Sequence, residues 1–193
     1  MKVKHISEQN LISTIWSGGT TTQLYIYPET KLFSDRNFDF RISSAVVELE
    51  ESTFTSLPGY SRVLMILDGE LDINHKEHHS KSLKPFEQDS FLGEWETSAK
   101  GKVTDFNLIM KNGISGELKQ ITVKSYLTIV KPIFNDSDYV AYFVVSGELK
   151  LDTRLGSHSV KEGGLLVFEE EGEVEHIQFG GGCELIEVKV KMS

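Results

Sequence analysis

Two segments, RVLMILDGELDINH at residues 62–75 and YFVVSGELKLDTRLGSH at residues 142–158, follow the same plan. Each contains an apolar run, then Asp or Ser followed by Gly-Glu-Leu, and then an alternating segment. The first copy continues to SLKPFEQDSF (82–91) and the second to SVKEGGLLVF (159–168), so a further strand begins at a similar distance in both. The chain therefore contains an internal repeat of two related β units.

Strand-like segments also dominate the rest of the chain. β-branched and aromatic residues alternate with polar ones, and Gly, Asn, Asp or Pro separates the segments. No stretch of a dozen residues has a helical period with caps. The predicted strands span residues 23–28, 38–48, 62–73, 104–111, 121–131, 139–152, 164–170, 174–179 and 183–191. Short strands without helices predict an all-β fold of the sandwich or barrel type.

The composition excludes several classes of partner. The 193 residues include 20 basic and 29 acidic ones, a net charge of −9. This balance argues against nucleic acid and anionic membranes, which attract basic patches. The start of the chain lacks the apolar region of a signal peptide, and no apolar run approaches the length of a membrane span, so we expect a cytoplasmic protein. The single cysteine, Cys183, lies in an alternating strand and is interpreted as a buried thiol rather than a nucleophile.

Polar residues occur on otherwise apolar faces of three predicted strands. Strand alternation places Arg41 with Ser43, Asp105 with Asn107, and Arg62 with apolar neighbours. Polar and ionised groups avoid a barrel interior unless they pair with each other or bind a ligand. These five residues are therefore candidates for a binding site.

Two interpretations of the arginines remain open. The chain has only four arginines, Arg36, Arg41, Arg62 and Arg154, and two of them lie in these strands. A guanidinium group on a barrel wall suits bidentate recognition of a carboxylate ligand. Alternatively, Arg41 or Arg62 forms a structural ion pair with Asp105.

The segment WSGGTTTQLYIYP at residues 16–28 also allows two interpretations. Its glycine amides and threonine hydroxyls could donate to an anion, with Trp16 forming a wall at the mouth of a barrel. It is not a phosphate loop of the nucleotide-binding type, because no lysine follows the glycines and a strand rather than a helix comes next. The alternative is a Gly-Gly turn that enters an edge strand.

A histidine cluster, HKEHH, contains His75, His78 and His79. It follows the Gly-Glu-Leu strand and includes charged residues, so we expect a solvated hairpin tip. Metal binding by such a loop is the minor alternative. We predict neither a metal nor another cofactor.

The repeat resembles the cupin pattern, and several blocks resemble the HutD/Ves family of bacterial bicupins. These blocks are WSGGTTTQL, DFRISSAVVE, FTSLPGYSRVLMILDGEL, LKPFEQDSFLGEW and VTDFNLIMKNG, which together cover most of residues 16–113. The resemblance implies two small jelly-roll-like β-barrels: a cupin-like barrel with the ligand cavity at residues 1–120 and a degenerate one at 121–193. The histidine-containing metal motif of cupins is absent from the segments before both apolar strands. The opening block departs from the family, since many members have a longer one, with an asparagine after the tryptophan position, an extra glycine, and a glutamate where this chain has Gln23.

The family resemblance further implies a function. It suggests a protein that binds a small carboxylate metabolite, such as formylglutamate or urocanate, and modulates histidine utilisation; a homodimer is compatible with it. The implied ligand-binding residues are Trp16, Ser17, Gly18, Gly19, Thr20, Thr21, Thr22, Arg41, Ser43, Phe54, Ser56, Arg62, Phe86, Asp105 and Asn107. Two alternatives remain: a metal-independent isomerase or hydrolase that uses Asp105 as a base, and an interaction protein whose barrel is only structural.

Overall fold

The computed structural model describes residues 2–129, 134, 136–153, 156–169 and 176–192. Its regular structure is β, apart from two 3-10 turns of three residues each, Glu8–Asn10 and Phe33–Asp35. Among the described residues, no helix has the length and apolarity needed to cross a membrane. The predicted all-β class is confirmed.

Residues 12–114 form one compact unit, the N-terminal unit. Its larger antiparallel sheet contains, in spatial order, β2 (Ile12–Trp16), β3 (Gly19–Tyr27), β4 (Phe40–Val47), β11 (Val103–Lys111), β6 (Tyr60–Gly69) and β9 (Gln88–Leu92). Its smaller sheet contains β5 (Glu51–Thr53), β10 (Thr97–Lys100), β7 (Leu71–His75) and β8 (Ser80–Leu83). Buried side chains from both sheets, including Leu64, Ile66, Ile73 and Leu83, form the core of this unit.

Residues 1–11 and 115–193 form the second compact unit, the C-terminal unit. Its larger sheet contains β1 (Lys2–Ile6), β17 (Leu165–Glu169), β14 (Tyr139–Ser146), β19 (Cys183–Lys191) and β12 (Ser115–Val123). Its smaller sheet contains β13 (Leu127–Ile129), β18 (His176–Phe179), β15 (Glu148–Thr153) and β16 (Gly156–Lys161). Cys183 is fully buried in the core of this unit, as expected for a structural thiol.

The strand order shows how the two sequence repeats build equivalent structures. The smaller sheets have the orders β5-β10-β7-β8 and β13-β18-β15-β16. In the larger sheets, the run β9-β6-β11 of the N-terminal unit corresponds to the run β17-β14-β19 of the C-terminal unit. Gly69 at the end of β6 has φ +84°, and Gly147 between β14 and β15 has φ +88°. Both Gly-Glu-Leu motifs thus supply a glycine where the chain turns with a left-handed backbone, which other residues rarely adopt.

The division of the chain differs from the predicted boundary at residue 120. Strand β12 pairs with β19 along its whole length, from Ser115 to Val123, so the predicted junction falls inside a strand of the C-terminal unit. Strand β1 pairs with β17, with Lys2 opposite Glu169 and Ile6 opposite Leu165. Alternation predicts a strand but not its partner, and this long-range pairing was therefore not predicted.

Candidate functional site

Polar residues line up in rows across the larger sheet of the N-terminal unit. Gln23 lies opposite Ser43, and Ser43 lies opposite Asn107. In the next row Ile109 stands between Arg41 on β4 and Arg62 on β6. Residues directly opposite each other in antiparallel strands point to the same side of the sheet. The register therefore brings the predicted arginines to one face, two strands apart.

Arg41 is held by neutral side chains. It is 7% exposed, its Nε donates to Gln23 Oε1 at 3.0 Å, and its Nη1 donates to Ser43 Oγ at 3.0 Å. The guanidinium carbon lies 4.3 Å from the centre of the Phe33 ring. Burial, together with the charge of Arg62, lowers the pKa of Arg41 to about 10, so the group remains cationic at neutral pH.

Arg62 has an unused donor. It is also 7% exposed, and its Nη2 donates to the carbonyl oxygen of Thr55 at 2.5 Å. Its guanidinium carbon lies 5.8 Å from the ring centre of Phe54 and 5.9 Å from that of Phe91. The Nε atom is buried without a hydrogen-bond partner. Burial lowers the pKa of Arg62 to about 10, although the nearby Asp105 works against this shift.

Asp105 and Asn107 form a second polar group on the same face. Asp105 is 4% exposed and accepts a hydrogen bond from Asn107 Nδ2 at 2.6 Å. Burial raises the pKa of Asp105 to about 7, against the effects of this hydrogen bond and of the Arg62 charge. The side-chain oxygen of Asn107, Oδ1, is buried without a partner. The group thus combines a carboxyl that titrates near neutrality with a free acceptor.

The structure does not contain the ion pair that the sequence left open. Among the described residues, no carboxylate oxygen lies within 4.0 Å of the guanidinium nitrogens of Arg41 or Arg62. Oδ1 of Asp105 instead accepts a hydrogen bond from Nδ2 of Asn107. Two buried cations without a close counterion are costly. This face is therefore suited to receive an anion.

The WSGG segment is a tight hairpin turn. Trp16 of β2 pairs with Gly19 of β3, which leaves Ser17 and Gly18 as the two turn residues. The Trp16 ring packs over Gly18, where a side chain would collide with it. Gly19 has φ +150°, and its backbone lies against the Val46 carbonyl. Packing therefore accounts for both glycines, as in the turn interpretation.

The threonines that follow are divided between the two faces of the sheet. Thr21 lies opposite Ala45, which itself stands opposite Asp105, so Thr21 shares the face of the arginines. Its neighbours on either side point the other way. The hydroxyl of Thr22 lies 2.8 Å from that of Ser13 on that opposite face. Only one of the three threonines is thus placed to line the arginine face.

A groove of about 950 Å³ also lies in the N-terminal unit. Trp16 and Ser17 line it together with residues of the smaller sheet, such as Asp72, Asn74 and Lys100. The lining includes neither buried arginine, but it does include Thr55, whose carbonyl accepts from Arg62. The groove therefore reaches a direct neighbour of Arg62.

The three remaining predicted residues lie in two loops, Phe54 and Ser56 between β5 and β6, and Phe86 between β8 and β9. The Phe54 ring packs edge-on against Phe91, with centres 5.7 Å apart. Ser56 is exposed in the loop before β6. Phe86 has φ +66° in the turn between β8 and β9, and its amide donates to the Ile66 carbonyl at 2.7 Å. Phe54 lies beside Arg62, whereas within the described residues no hydrogen bond or ring contact joins Ser56 or Phe86 to either buried arginine.

The prediction of a solvated histidine tip is wrong for His75. This residue is 1% exposed and ends β7, where Leu71, Ile73 and His75 alternate as buried positions. Its Nε2 lies 3.1 Å from Asp89 Oδ2, and His79 Nε2 lies 2.9 Å from the same oxygen. The alternating pattern of LDINH is a signal for a buried His75. The charged residues beside the cluster led instead to the prediction of an exposed tip.

The titration behaviour of this cluster follows from its contacts. Burial lowers the pKa of His75, although the hydrogen bond and charge of Asp89 act in the opposite direction. Burial alone would raise the pKa of Asp89, but hydrogen bonds from His79, His75 and the Ser90 amide lower it on balance. Asp89 is therefore a carboxylate at neutral pH.

Two repeated two-sheet β units in one chain define a bicupin. The HutD family model matches residues 8–185, and the chain belongs to this family. The fold is similar to that of the conserved protein of unknown function PA5104 from Pseudomonas aeruginosa PAO1, with 17% identity, a TM-score of 0.81 and coverage of 99% of this chain and 100% of that one.

Two further solved structures share the fold. HutD from Pseudomonas fluorescens SBW25, described for a formate condition, is 21% identical, with a TM-score of 0.73 and coverage of 98% and 100%. The bacterial pirin YhhW from Escherichia coli, in complex with nickel(II), is 8% identical, with a TM-score of 0.66 and full coverage of both chains (100% and 100%). A search of curated proteins gave no match. The predicted family and bicupin fold are thus confirmed.

Proposed function

We propose that the N-terminal unit binds a small carboxylate metabolite at Arg41 and Arg62 and thereby modulates histidine utilisation. The observation that carries this proposal is the pair of buried guanidinium groups without a carboxylate within 4.0 Å among the described residues. A bound carboxylate would supply the missing negative charge and accept from the Nε of Arg62. The link to histidine utilisation rests on membership of the HutD family.

The site also favours a ligand that carries an N–H group. The free oxygen of Asn107 is an acceptor, and it lies on the same face as the free donor of Arg62. Formylglutamate and urocanate each combine a carboxylate with an N–H group, whereas formate has only the carboxylate. We therefore expect the larger compounds to bind more tightly than formate.

Calorimetric titration with formylglutamate, urocanate, glutamate and formate tests this proposal. At least one compound should bind with Kd below about 1 mM, which corresponds to about −4 kcal/mol. Arg41→Lys and Arg62→Lys keep the charge but remove the planar fork, and each should weaken binding about tenfold or more. Arg36→Lys makes the same change at an exposed arginine and should have no effect.

The proposal fails if no compound binds below about 1 mM. It also fails if Arg36→Lys weakens binding as much as Arg62→Lys does. Loss of binding must be accompanied by an unchanged unfolding temperature, because a folding defect would remove binding for another reason.

One observation favours a second candidate function, a metal-independent isomerase or hydrolase. Burial raises the pKa of Asp105 to about 7, and a carboxyl with such a pKa can act as a general acid or base at neutral pH. In that case the same compounds should be converted, and Asp105→Asn should abolish turnover while binding persists. Binding without any turnover in the unmodified protein would remove this alternative.

A further inference from the structure

Three side chains of the N-terminal unit converge from its two sheets. His75 ends β7 of the smaller sheet, His79 follows in the hairpin, and Asp89 lies on β9 of the larger sheet. One ligand atom from each of the three side chains lies within 4.8 Å of the ligand atoms of the other two. Two imidazole nitrogens and one carboxylate oxygen form a donor set that zinc and several other transition metals prefer.

We propose that His75, His79 and Asp89 form a binding site for a divalent transition metal ion, with Zn²⁺ as the first candidate. The sequence predicted no metal site, because the segments before the two apolar strands lack histidine. The proposed site uses other elements, namely the end of β7, the hairpin after it and the inner face of β9.

The separations between the ligand atoms suit a metal ion. Ligands at about 2.0–2.1 Å from a tetrahedral zinc ion are roughly 3.3 Å apart. Asp89 Oδ2 lies 3.1 Å from His75 Nε2 and 2.9 Å from His79 Nε2. A shift of a few tenths of an ångström would therefore bring each of these histidine nitrogens to a coordination distance from the carboxylate oxygen.

The contacts of His75 orient it as a ligand. Its Nδ1 lies 2.8 Å from Thr97 Oγ1, and the Thr97 hydroxyl donates to the Trp95 carbonyl at 3.2 Å. With a metal ion at Nε2, the Nδ1–H of His75 would donate to Thr97 Oγ1, and the Thr97 hydroxyl proton would go to the Trp95 carbonyl, so both contacts of Thr97 are compatible with metal binding. A ring orientation fixed by such a partner is typical of metal-ligating histidines.

The cluster reaches solvent at His79. The side chain of His75 is buried, whereas that of His79 is 40% exposed. The rings of Phe91 and Trp95 lie 4.4 Å and 5.5 Å from the His75 ring, centre to centre. An ion would thus have three protein ligands and a fourth position that faces solvent beside His79, as in zinc sites that bind water or substrate.

The test uses the full chain, freed of metal with a chelator, and titrates it with Zn²⁺ by calorimetry and with Co²⁺ by visible absorption. We expect one ion per chain and the ligand-field bands of a low-coordinate Co²⁺ complex. His79→Gln, at the exposed ligand, should weaken binding by about tenfold or more. Zn²⁺ should also raise the unfolding temperature of the unmodified protein but not that of His79→Gln.

His78→Gln is the matched control. His78 is adjacent in sequence, but its ring stacks on Trp95 at 3.8 Å with an angle of 14° and supplies no ligand atom to the cluster. Its substitution should change the affinity less than about twofold. Absence of stoichiometric binding would show that Thr97, His75 and Asp89 form only a hydrogen-bond network. Equal losses in His78→Gln and His79→Gln would show nonspecific binding by the loop, and either result overturns the proposal.

Discussion

The two units of this bicupin share a strand order but differ in the partners of their buried charged side chains. When the strand registers of the two units are aligned on Gly69 and Gly147, Arg62 corresponds to Val140. In the same alignment Asp105 corresponds to Leu185, and Asn107 corresponds to Glu187. In the C-terminal unit, Lys189 Nζ lies 3.5 Å from Glu187 Oε2, and the Tyr142 hydroxyl donates to Glu187 Oε1 at 3.2 Å. Burial and the nearby carboxylate raise the pKa of Tyr142, so it remains a donor.

The buried charges of the C-terminal unit form an ion pair, whereas the buried arginines of the N-terminal unit have neutral partners. Glu187 and Lys189 neutralise each other within the C-terminal unit. Arg41 and Arg62 meet neutral partners, Gln23, Ser43 and the Thr55 carbonyl, and keep their positive charge. The same scaffold therefore has a self-contained polar pair in one unit and an unbalanced cationic face in the other.

Breaking the pair in the C-terminal unit should have the largest effect. Glu187→Gln leaves the nearly buried ammonium group of Lys189 without a counterion, and such losses cost about 3–5 kcal/mol. Urea denaturation measures the change. The double variant Glu187→Leu with Lys189→Met removes both charges and should recover most of the loss. A single variant that costs less than about 1 kcal/mol would contradict the structural role of this pair.

The pH dependence of stability should reveal the buried Asp105. Its pKa is about 7 when folded, against 3.8 for the ordinary group. Below the lower value both states are protonated, whereas between the two values the unfolded chain has released a proton that the folded chain keeps. Stability therefore falls as the pH rises through this window, and it is not regained above pH 7.

Asp105→Asn should remove this contribution. Between about pH 4 and pH 7, the free energy of unfolding of the unmodified protein should fall relative to that of Asp105→Asn by as much as about 4 kcal/mol. Chemical denaturation at several pH values measures the difference. Parallel pH profiles for the two proteins would show that Asp105 ionises normally in the folded state.

Substitution of the unbalanced cation should have the smallest effect on stability. Arg62→Met keeps most of the side-chain length and removes a buried charge whose Nε has no partner. Removal of the buried charge stabilises the protein, whereas loss of the hydrogen bond to Thr55 destabilises it. We therefore expect the free energy of unfolding to change by no more than about 1 kcal/mol. A loss of about 3 kcal/mol or more would mean that Arg62 is a structural residue like Glu187.

Local patterns in the sequence were sufficient for the fold but not for the site geometry. The Gly-Glu-Leu repeat predicted both units, because its glycines occupy equivalent left-handed positions. Alternation also placed Arg41 with Ser43 and Asp105 with Asn107, and the register of the strands then puts these residues and Arg62 on one face. It could not show that Asp105 would bond to Asn107 instead of an arginine, because strand pairing and side-chain choice depend on residues distant in sequence.

The histidine cluster shows a different limit. The alternation in LDINH was visible, yet the partner of His75, Asp89, lies on another strand and in another sheet. A buried histidine is recognisable from its strand period, whereas a converging ligand set becomes visible only when the two sheets are placed together.

The most direct test of the central claim is NMR observation of the arginine Nε–H groups during titration with a carboxylate ligand. Lysine substitutions at Arg36, Arg41 and Arg62 assign the signals. The account predicts that formylglutamate or urocanate shifts the Arg62 signal, because its Nε gains an acceptor, and leaves the exposed Arg36 signal unchanged. An Arg62 signal that stays fixed at saturating ligand, or that moves no more than the Arg36 signal, would contradict it.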